Sequence, residues 1–308
     1  MIEVVIKLFL AMGVLLWSGG ALAAALSRLS KSLHVSHYII AFILMAATTT
    51  IPELFVSMMS SFDGQSSLAL GTVIGSNIAN IALIVGVLLV VNRKMSIEGS
   101  VKQGDMIYTA LIAFFPFLLL VDGSLSRIDG LMMLTAFGLM FSKMIRDARF
   151  FTKIQRTTKD FDFWYDIGVF IGSVLLLLVA SRYVVTYSEQ LAVSLLIPLS
   201  VVGILVVALG TSLPEIVFAY KSSQSHMPEM SLGNITGSLI FNASVVLGIA
   251  VLISPVSVPI NHYIVPALFT LLLLLYMVVS AHNSNMLTKR WGFVLIALYI
   301  VFSITALG

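Results

Sequence analysis

The sequence predicts an all-α polytopic membrane protein, with ten transmembrane helices arranged as two inverted five-helix repeats. Three observations lead there: a composition suited to lipid, ten apolar runs of spanning length, and an internal duplication whose copies enter the membrane from opposite sides. Of the 308 residues, 59% are hydrophobic and 10% charged, against about 45–50% and about 25% in soluble domains. Mean hydropathy is +1.07. With no cysteine in the chain, disulfides, Cys-based zinc sites and thiol catalysis are excluded. The formal charge of +3 is not gathered into basic clusters interleaved with aromatics, so nucleic acid is not an expected partner.

A helix needs about 20 mostly apolar residues to cross a bilayer, and any other open backbone in hydrocarbon leaves polar groups unpaired at several kcal/mol each. The first run, 4–26, is too long for a signal-peptide core and has no convincing cleavage site, so it reads as a span rather than a removed leader. Runs at 37–60, 68–91, 105–121 and 127–146 complete a first set of five. The charged segment 146–165 is the one real linker. Its basic residues Arg149, Lys153, Arg156 and Lys159 fit a solvated cytoplasmic connector better than a headgroup-binding patch. Trp164 and Tyr165 are placed to anchor the next span at the interface. Runs at 166–187, 193–220, 231–253, 262–281 and 290–307 form the second set. The chain therefore divides into repeat 1–145, linker 146–165 and inverted repeat 166–308.

Orientation follows from lysine and arginine in the short loops. Alternate loops hold Arg28 and Lys31; Arg93, Lys94 and Lys102; six residues from Lys143 to Lys159; Lys221; and Lys289 and Arg290, together fourteen of the seventeen basic residues. Arg127, Arg182 and Lys7 fall on the other side. Both termini are expected outside. With no large regulatory loop and no targeting leader, the expected location is the cytoplasmic membrane of a prokaryote.

The duplication is visible around two glutamates. AATTTIPELFVSMMSS surrounds Glu53, ALGTSLPEIVFAYKSS surrounds Glu215, and one shift of 162 residues superposes them without a gap. The same shift lays LGTVIGSNIAN on LGNITGSLIFN. Between Ala46–Gly86 and Ala208–Gly248, 13 of 41 positions are identical, among them Pro52/Pro214, Glu53/Glu215, Gly71/Gly233, Gly75/Gly237, Ser76/Ser238 and Asn80/Asn242. An odd number of spans per copy inverts the second copy, the arrangement of many alternating-access transporters, whose substrate site lies at the midplane between repeats.

Glu53 and Glu215 are the only carboxylates well inside predicted spans. A charge at the bilayer centre costs about 2.5–3.5 kcal/mol on insertion scales, and no span-centre lysine or arginine offers a partner. A metal cation is the simplest counter-charge. Each glutamate follows a proline, which removes a backbone donor and disfavours regular helix before it. The expected break frees carbonyls near Ala46 and Ala208 and sets Thr49, Thr50, Thr211 and Ser212 beside the carboxylates. Ser76 and Asn80 share one helix face, as do Ser238 and Asn242. Gly71, Gly75, Gly233 and Gly237 serve close helix packing. Every donor is oxygen, a set suited to Ca²⁺ or Na⁺ rather than zinc or copper. An empty site would hold two nearby carboxylates in low dielectric, which opposes double ionisation and favours obligatory exchange over leakage.

These residues resemble a known family. GTSLPE (Gly210 to Glu215), TTTIPE (Thr48 to Glu53), GSNIAN (Gly75 to Asn80) and GSLIFN (Gly237 to Asn242) look like the two α-repeats of the sodium/calcium exchangers, within the cation/calcium exchanger superfamily, and the five-plus-five layout resembles its prokaryotic members. The resemblance implies Na⁺-driven Ca²⁺ antiport through sites between spans 2, 3, 7 and 8. It implies that Glu53 and Glu215 ligate Ca²⁺ with Thr49, Thr211 and the carbonyls of Ala46 and Ala208. Flanking Na⁺ sites would draw on Thr50, Ser76, Ala208, Thr211, Ser212 and Ser238, with Asn80 and Asn242 around the middle. Ca²⁺ and Na⁺ are then substrates; no cofactor, enzymatic activity or obligatory protein partner is expected. The chain departs from the family pattern at Thr48, where glycine is common, at Thr72, where asparagine is common, and at Asn242, which is aspartate in some members. With asparagine at both 80 and 242 a K⁺ requirement is not expected. A Ca²⁺/H⁺ antiporter on the same scaffold stays open, because two glutamates also carry protons. An intramembrane hydrolase is remote, since no span-centre histidine or aspartate exists, and a non-transporting ion sensor would not require the glutamate twice.

Overall fold

The computed structural model describes residues 2–31, 37–92, 103–148, 163–224, 228–282 and 287–307. Nearly all of them are helical. We label the helices α1 (Ile2–Lys31), α2 (His37–Phe62), α3 (66–92), α4 (Gln103–Leu119), α5 (Arg127–Ala148), α6 (Phe163–Leu195), α7 (199–224), α8 (228–253), α9 (Asn261–His282) and α10 (Lys289–Leu307). Among the described residues seven, α1, α3 and α6 to α10, hold stretches long and apolar enough to cross a membrane, and Met106–Asp122 is a shorter apolar helix. The expected linker lies largely outside the described residues; α5 runs to Ala148 and α6 starts at Phe163.

The fold turns the soluble pattern inside out. Large apolar side chains such as Phe9, Trp17, Leu175, Leu268 and Ile304 are exposed on the outer helices. Serine, threonine, asparagine and glutamate side chains fill much of the interior of α2, α3, α7 and α8. Hydrocarbon solvates the first set without cost, while the second needs internal partners. One apolar cluster joins α1 to α6 through Leu8, Leu15, Leu177 and Val184. A larger one gathers α3, α4, α8, α9 and α10 around Leu89, Leu239, Tyr263 and Phe302.

Helix pairing repeats itself under the shift of 162. Gly86 of α3 meets Gly292 of α10 so closely that a β-carbon at Gly292 would lie 2.6 Å from the Gly86 carbonyl oxygen. Their equivalents, Gly248 of α8 and Gly130 of α5, meet in the same way, at 2.9 Å for a β-carbon on Gly130. Small residues here let backbones touch, the usual device for packing helices in lipid.

Three helices contain wide turns with i→i+5 bonding: Ala79–Ile84 in α3, Gly203–Val207 in α7 and Asn242–Val246 in α8. Such turns are rare and concentrate at functional sites. Two details depart from the sequence reading. Residues 193–195 belong to α6, and α7 starts at Leu199 behind Pro198, because the apolar run Leu195-Leu196-Ile197 spans a turn at Leu196 (φ 55°). The all-α expectation also misses a two-residue antiparallel pairing of Ser124–Leu125 with Val256–Ser257.

Candidate functional site

The site grows from the two proline-glutamate pairs, which the two helices treat differently. Helix α2 runs through Pro52 without interruption, so the expected break is absent there. Threonine at 48, 49 and 50 leaves this segment without the glycine that loosens its counterpart. In α7 the break is present: helix Ala208–Thr211 ends at Ser212 (φ −81°, ψ 6°), and a new helix starts at Leu213. The Ala208 carbonyl is not freed, since it accepts the Ser212 N–H at 3.0 Å. It is the Gly210 carbonyl that loses its i+4 donor, because Pro214 has no N–H. Glu215 falls in the first turn of the new helix, where the helix dipole favours negative charge.

Glu53 is 0% exposed and Glu215 is 1% exposed. They lie close enough for their charges to interact. Each receives the hydroxyl of the serine twenty-three residues on: Ser76 donates to Glu53 Oε1 at 3.4 Å and Ser238 to Glu215 Oε1 at 3.5 Å. Most of the remaining contacts cross between copies. Ser212 donates to Glu53 Oε1 at 3.4 Å, and Ser76 also reaches the Ala208 carbonyl at 3.5 Å. Thr211 faces Glu53 and Thr49 faces Glu215. Thr49 meets Ser238 at 3.3 Å and donates to Asn234 Oδ1 at 3.5 Å, while Thr211 donates to the Val207 carbonyl at 3.0 Å. Thr50 is buried on α2, and Ala46 lies on the same helix, seven residues before Glu53. Asn80 and Asn242 are buried inside the wide turns of α3 and α8.

The geometry therefore gathers the two glutamates, Ser76, Ser212, Ser238, Thr49, Thr211 and the Ala208 carbonyl into one oxygen-lined centre. Oε2 of Glu53 and of Glu215 are buried there without a protein partner, and one helical turn beyond Ser76 and Ser238 so are both amide atoms of Asn80 and Oδ1 of Asn242. Buried polar atoms are paired in the great majority of cases, so the unpaired carboxylate oxygens of this centre are open to a ligand. Among the described residues no group of three or more His, Cys, Asp or Glu side chains forms, so carboxylate charge at this centre comes from the pair alone. Aspartate Asp166 is also buried, but in the first turn of α6.

Two contributors were not assigned to the site from the sequence, although Asn234 keeps the asparagine that the family pattern has after the leucine-glycine pair. Asn234 takes the Thr49 hydroxyl, and Asn77 bridges the copies by donating to the Leu239 carbonyl at 3.4 Å while accepting Asn242 Nδ2 at 3.3 Å. Both sit where the repeats disagree, Asn77 against Leu239 and Asn234 against Thr72. A search weighted toward identities passes over them. The glycines also divide: β-carbons at Gly71 and Gly75 would collide with α7 backbone oxygens at 2.3 and 2.2 Å, whereas at Gly233 no heavy atom among the described residues, its own helix backbone apart, lies within 4 Å of that position.

A sequence model of the sodium/calcium exchanger protein family matches residues 4–143 and 165–308. The inner membrane protein YrbG of Escherichia coli is 33% identical over 258 residues, covering 80% of this chain and 79% of its own. The sodium/calcium exchanger MaX1 of Methanosarcina acetivorans is 28% identical over 319 residues, covering 90% of each. A solved structure of the sodium-calcium exchanger NCX_Mj superposes with a TM-score of 0.68 at 24% identity, over 97% of both chains, a likeness of fold. On the family match across nearly its whole length, this membrane protein belongs to the sodium/calcium exchanger family.

Proposed function

We propose that the chain is a secondary antiporter that exchanges Na⁺ for Ca²⁺ by alternating access, with Ca²⁺ and Na⁺ as substrates held between α2, α3, α7 and α8. The observation that carries this reading is the buried glutamate pair, each carboxyl taking the matching serine of its own copy and Glu53 also taking the Ser212 hydroxyl of the other. Oxygens from carboxylate, hydroxyl, amide and backbone suit Ca²⁺, which takes six to eight oxygen ligands. Glu53, Glu215, Thr49, Thr211 and the Ala46 and Ala208 carbonyls hold Ca²⁺. Thr50, Ser76, Ser212 and Ser238 complete flanking Na⁺ positions, and Asn80 and Asn242 lie between them.

In this reading all ten helices cross the membrane, as repeats 1–145 and 166–308 joined by the cytoplasmic segment 146–165. The crosswise glycine contacts of α3 with α10 and of α8 with α5 support two copies related by a twofold axis. Both termini lie outside a prokaryotic cytoplasmic membrane. With two carboxylates and, among the described residues, no buried lysine or arginine, the centre changes sides readily only when cations fill it. Ion movement in one direction is thereby tied to movement in the other.

The test is ⁴⁵Ca²⁺ uptake into Na⁺-loaded proteoliposomes diluted into Na⁺-free buffer, with choline-loaded and pH-gradient controls. Uptake that requires internal Na⁺ and grows under an inside-positive potential is expected. Uptake that follows the pH gradient and ignores Na⁺ would assign the chain to proton-coupled Ca²⁺ exchange instead.

A further inference from the structure

We propose that Asn77 is a positioning residue that fixes which end of the Asn242 amide faces the ion site. The inference rests on the antiport reading above, in which Asn242 lies at the centre. An asparagine side chain can turn its amide end for end, presenting either an acceptor oxygen or a donor NH₂. Only the oxygen is useful to a cation.

The direction of each bond follows from the first partner. The Leu239 backbone carbonyl can only accept, so Asn77 must point its Nδ2 there, and it does so at 3.4 Å. That leaves Asn77 Oδ1 on the other side, where it can only accept. Asn242 must therefore offer its Nδ2, which lies 3.3 Å away. The Asn242 oxygen is left buried with no protein partner, one helical turn from Ser238, whose hydroxyl touches Glu215. Turning the Asn242 amide over would set oxygen against oxygen, and Asn77 cannot follow without setting its own oxygen against the Leu239 carbonyl. An ionised aspartate at 242 would meet the same obstacle, oxygen against the Asn77 oxygen.

The other copy has no such lock. The residue equivalent to Asn77 is Leu239, whose side chain offers no acceptor, and the residue equivalent to Asn242 is Asn80, both of whose amide atoms are unpartnered. One difference between the repeats thus gives two equivalent amides different freedom: Asn242 presents a fixed oxygen, while Asn80 is free to turn as ions come and go.

The test is a double-mutant cycle in the full-length protein, with Asn77→Leu, Asn242→Ala and the double variant. Half-saturating Ca²⁺ and maximal rate are read in Na⁺-loaded proteoliposomes, and equilibrium ⁴⁵Ca²⁺ binding is read on the purified protein. Each single variant is expected to weaken Ca²⁺ binding about five- to tenfold, the worth of one oriented contact, and in Asn77→Leu the maximal rate is expected to hold within about twofold. The double variant is expected to match Asn242→Ala, because Asn77 acts only through that amide. Wild-type binding in Asn77→Leu, or effects that multiply in the double variant, overturn the assignment. Asn77→Ser, which adds no bulk, carries the same test where the leucine does not fold. A chain that folds with neither also overturns it, since Asn77 would then be holding the structure rather than the amide. The binding arm needs no transport. Absence of Na⁺-driven flux in the wild type therefore rejects the antiport reading, while the role of Asn77 is decided by binding alone.

Discussion

Replacing Gly71 by alanine and, in a second protein, Gly233 by alanine makes one substitution at two positions equated by the internal repeat, and the structure assigns them opposite outcomes. A β-carbon at Gly71 would fall 2.3 Å from the Ser200 carbonyl oxygen and 3.2 Å from the Ser200 α-carbon. These are backbone atoms and cannot rotate away. Relaxed carbon–oxygen contacts lie at about 3.3–3.6 Å, so α3 and α7 must part by about 1 Å. Overpacking of this kind costs about 1–3 kcal/mol. At Gly233 no heavy atom among the described residues, its own helix backbone apart, lies within 4 Å of the added carbon, and the helix preference for alanine remains, a gain of about 0.5–1 kcal/mol. The same parting draws Ser76, on α3, from the Ala208 carbonyl that it meets at 3.5 Å. Thermal unfolding in detergent, with half-saturating Ca²⁺ measured in proteoliposomes, reads both effects. Gly71→Ala is expected to lower the unfolding temperature and weaken Ca²⁺ dependence, and Gly233→Ala to leave both at wild type or slightly better. Equal losses at the two positions, or the reverse order, would refute the claim that α3 seals directly on α7 here.

Glu53→Gln and Glu215→Gln each remove half the carboxylate charge of the centre. At about 3–5 kcal/mol for one member of a buried charge set, each is expected to cut Ca²⁺ uptake more than about a hundredfold while size-exclusion profiles stay wild type. Ser76→Ala and Ser238→Ala remove the hydroxyls at 3.4 and 3.5 Å from those carboxyls. Each is expected to weaken Ca²⁺ binding by about 1.5–3 kcal/mol in equilibrium binding, and a neutral result in both would disconnect the serines from the site. Thr48→Gly introduces glycine into the unbroken α2 segment before Pro52. Backbone amides of α2 there are expected to exchange faster in hydrogen-deuterium exchange, with about 1 kcal/mol less stability.

Much of the helical scaffold was legible because lipid imposes length. A run long enough to cross could hardly be anything but helix, and α8, α9 and α10 sit within a few residues of the expected runs. The start of α7 was not legible, since Leu195-Leu196-Ile197 is as apolar as a span although its chain turns. At the centre, Glu53, Glu215 and their serines stood out because charge in hydrocarbon is costly enough to need a reason, and the repeat supplied it twice. Asn77 did not stand out. A polar residue in one copy opposite leucine in the other is indistinguishable from drift until the backbone carbonyl it serves is seen. Nor could proline alone foretell its own effect: Pro214 follows Gly210 and interrupts its helix, whereas Pro52 follows three threonines and does not.

The wide turns sort what the two repeated segments share from what they do not. A turn closed over five residues instead of four offsets every side chain beyond it around the helix axis. Ala79–Ile84 and Asn242–Val246 occupy matching places under the shift of 162, so Asn80 and Asn242 enter the interior from the same irregularity. Gly203–Val207 corresponds to 41–45, which is ordinary α-helix, and asparagine at 77 stands opposite leucine at 239. The glutamates, their serines and the wide turn at each asparagine are common to both segments, whereas the bend in α7 and Asn77 belong to one segment alone.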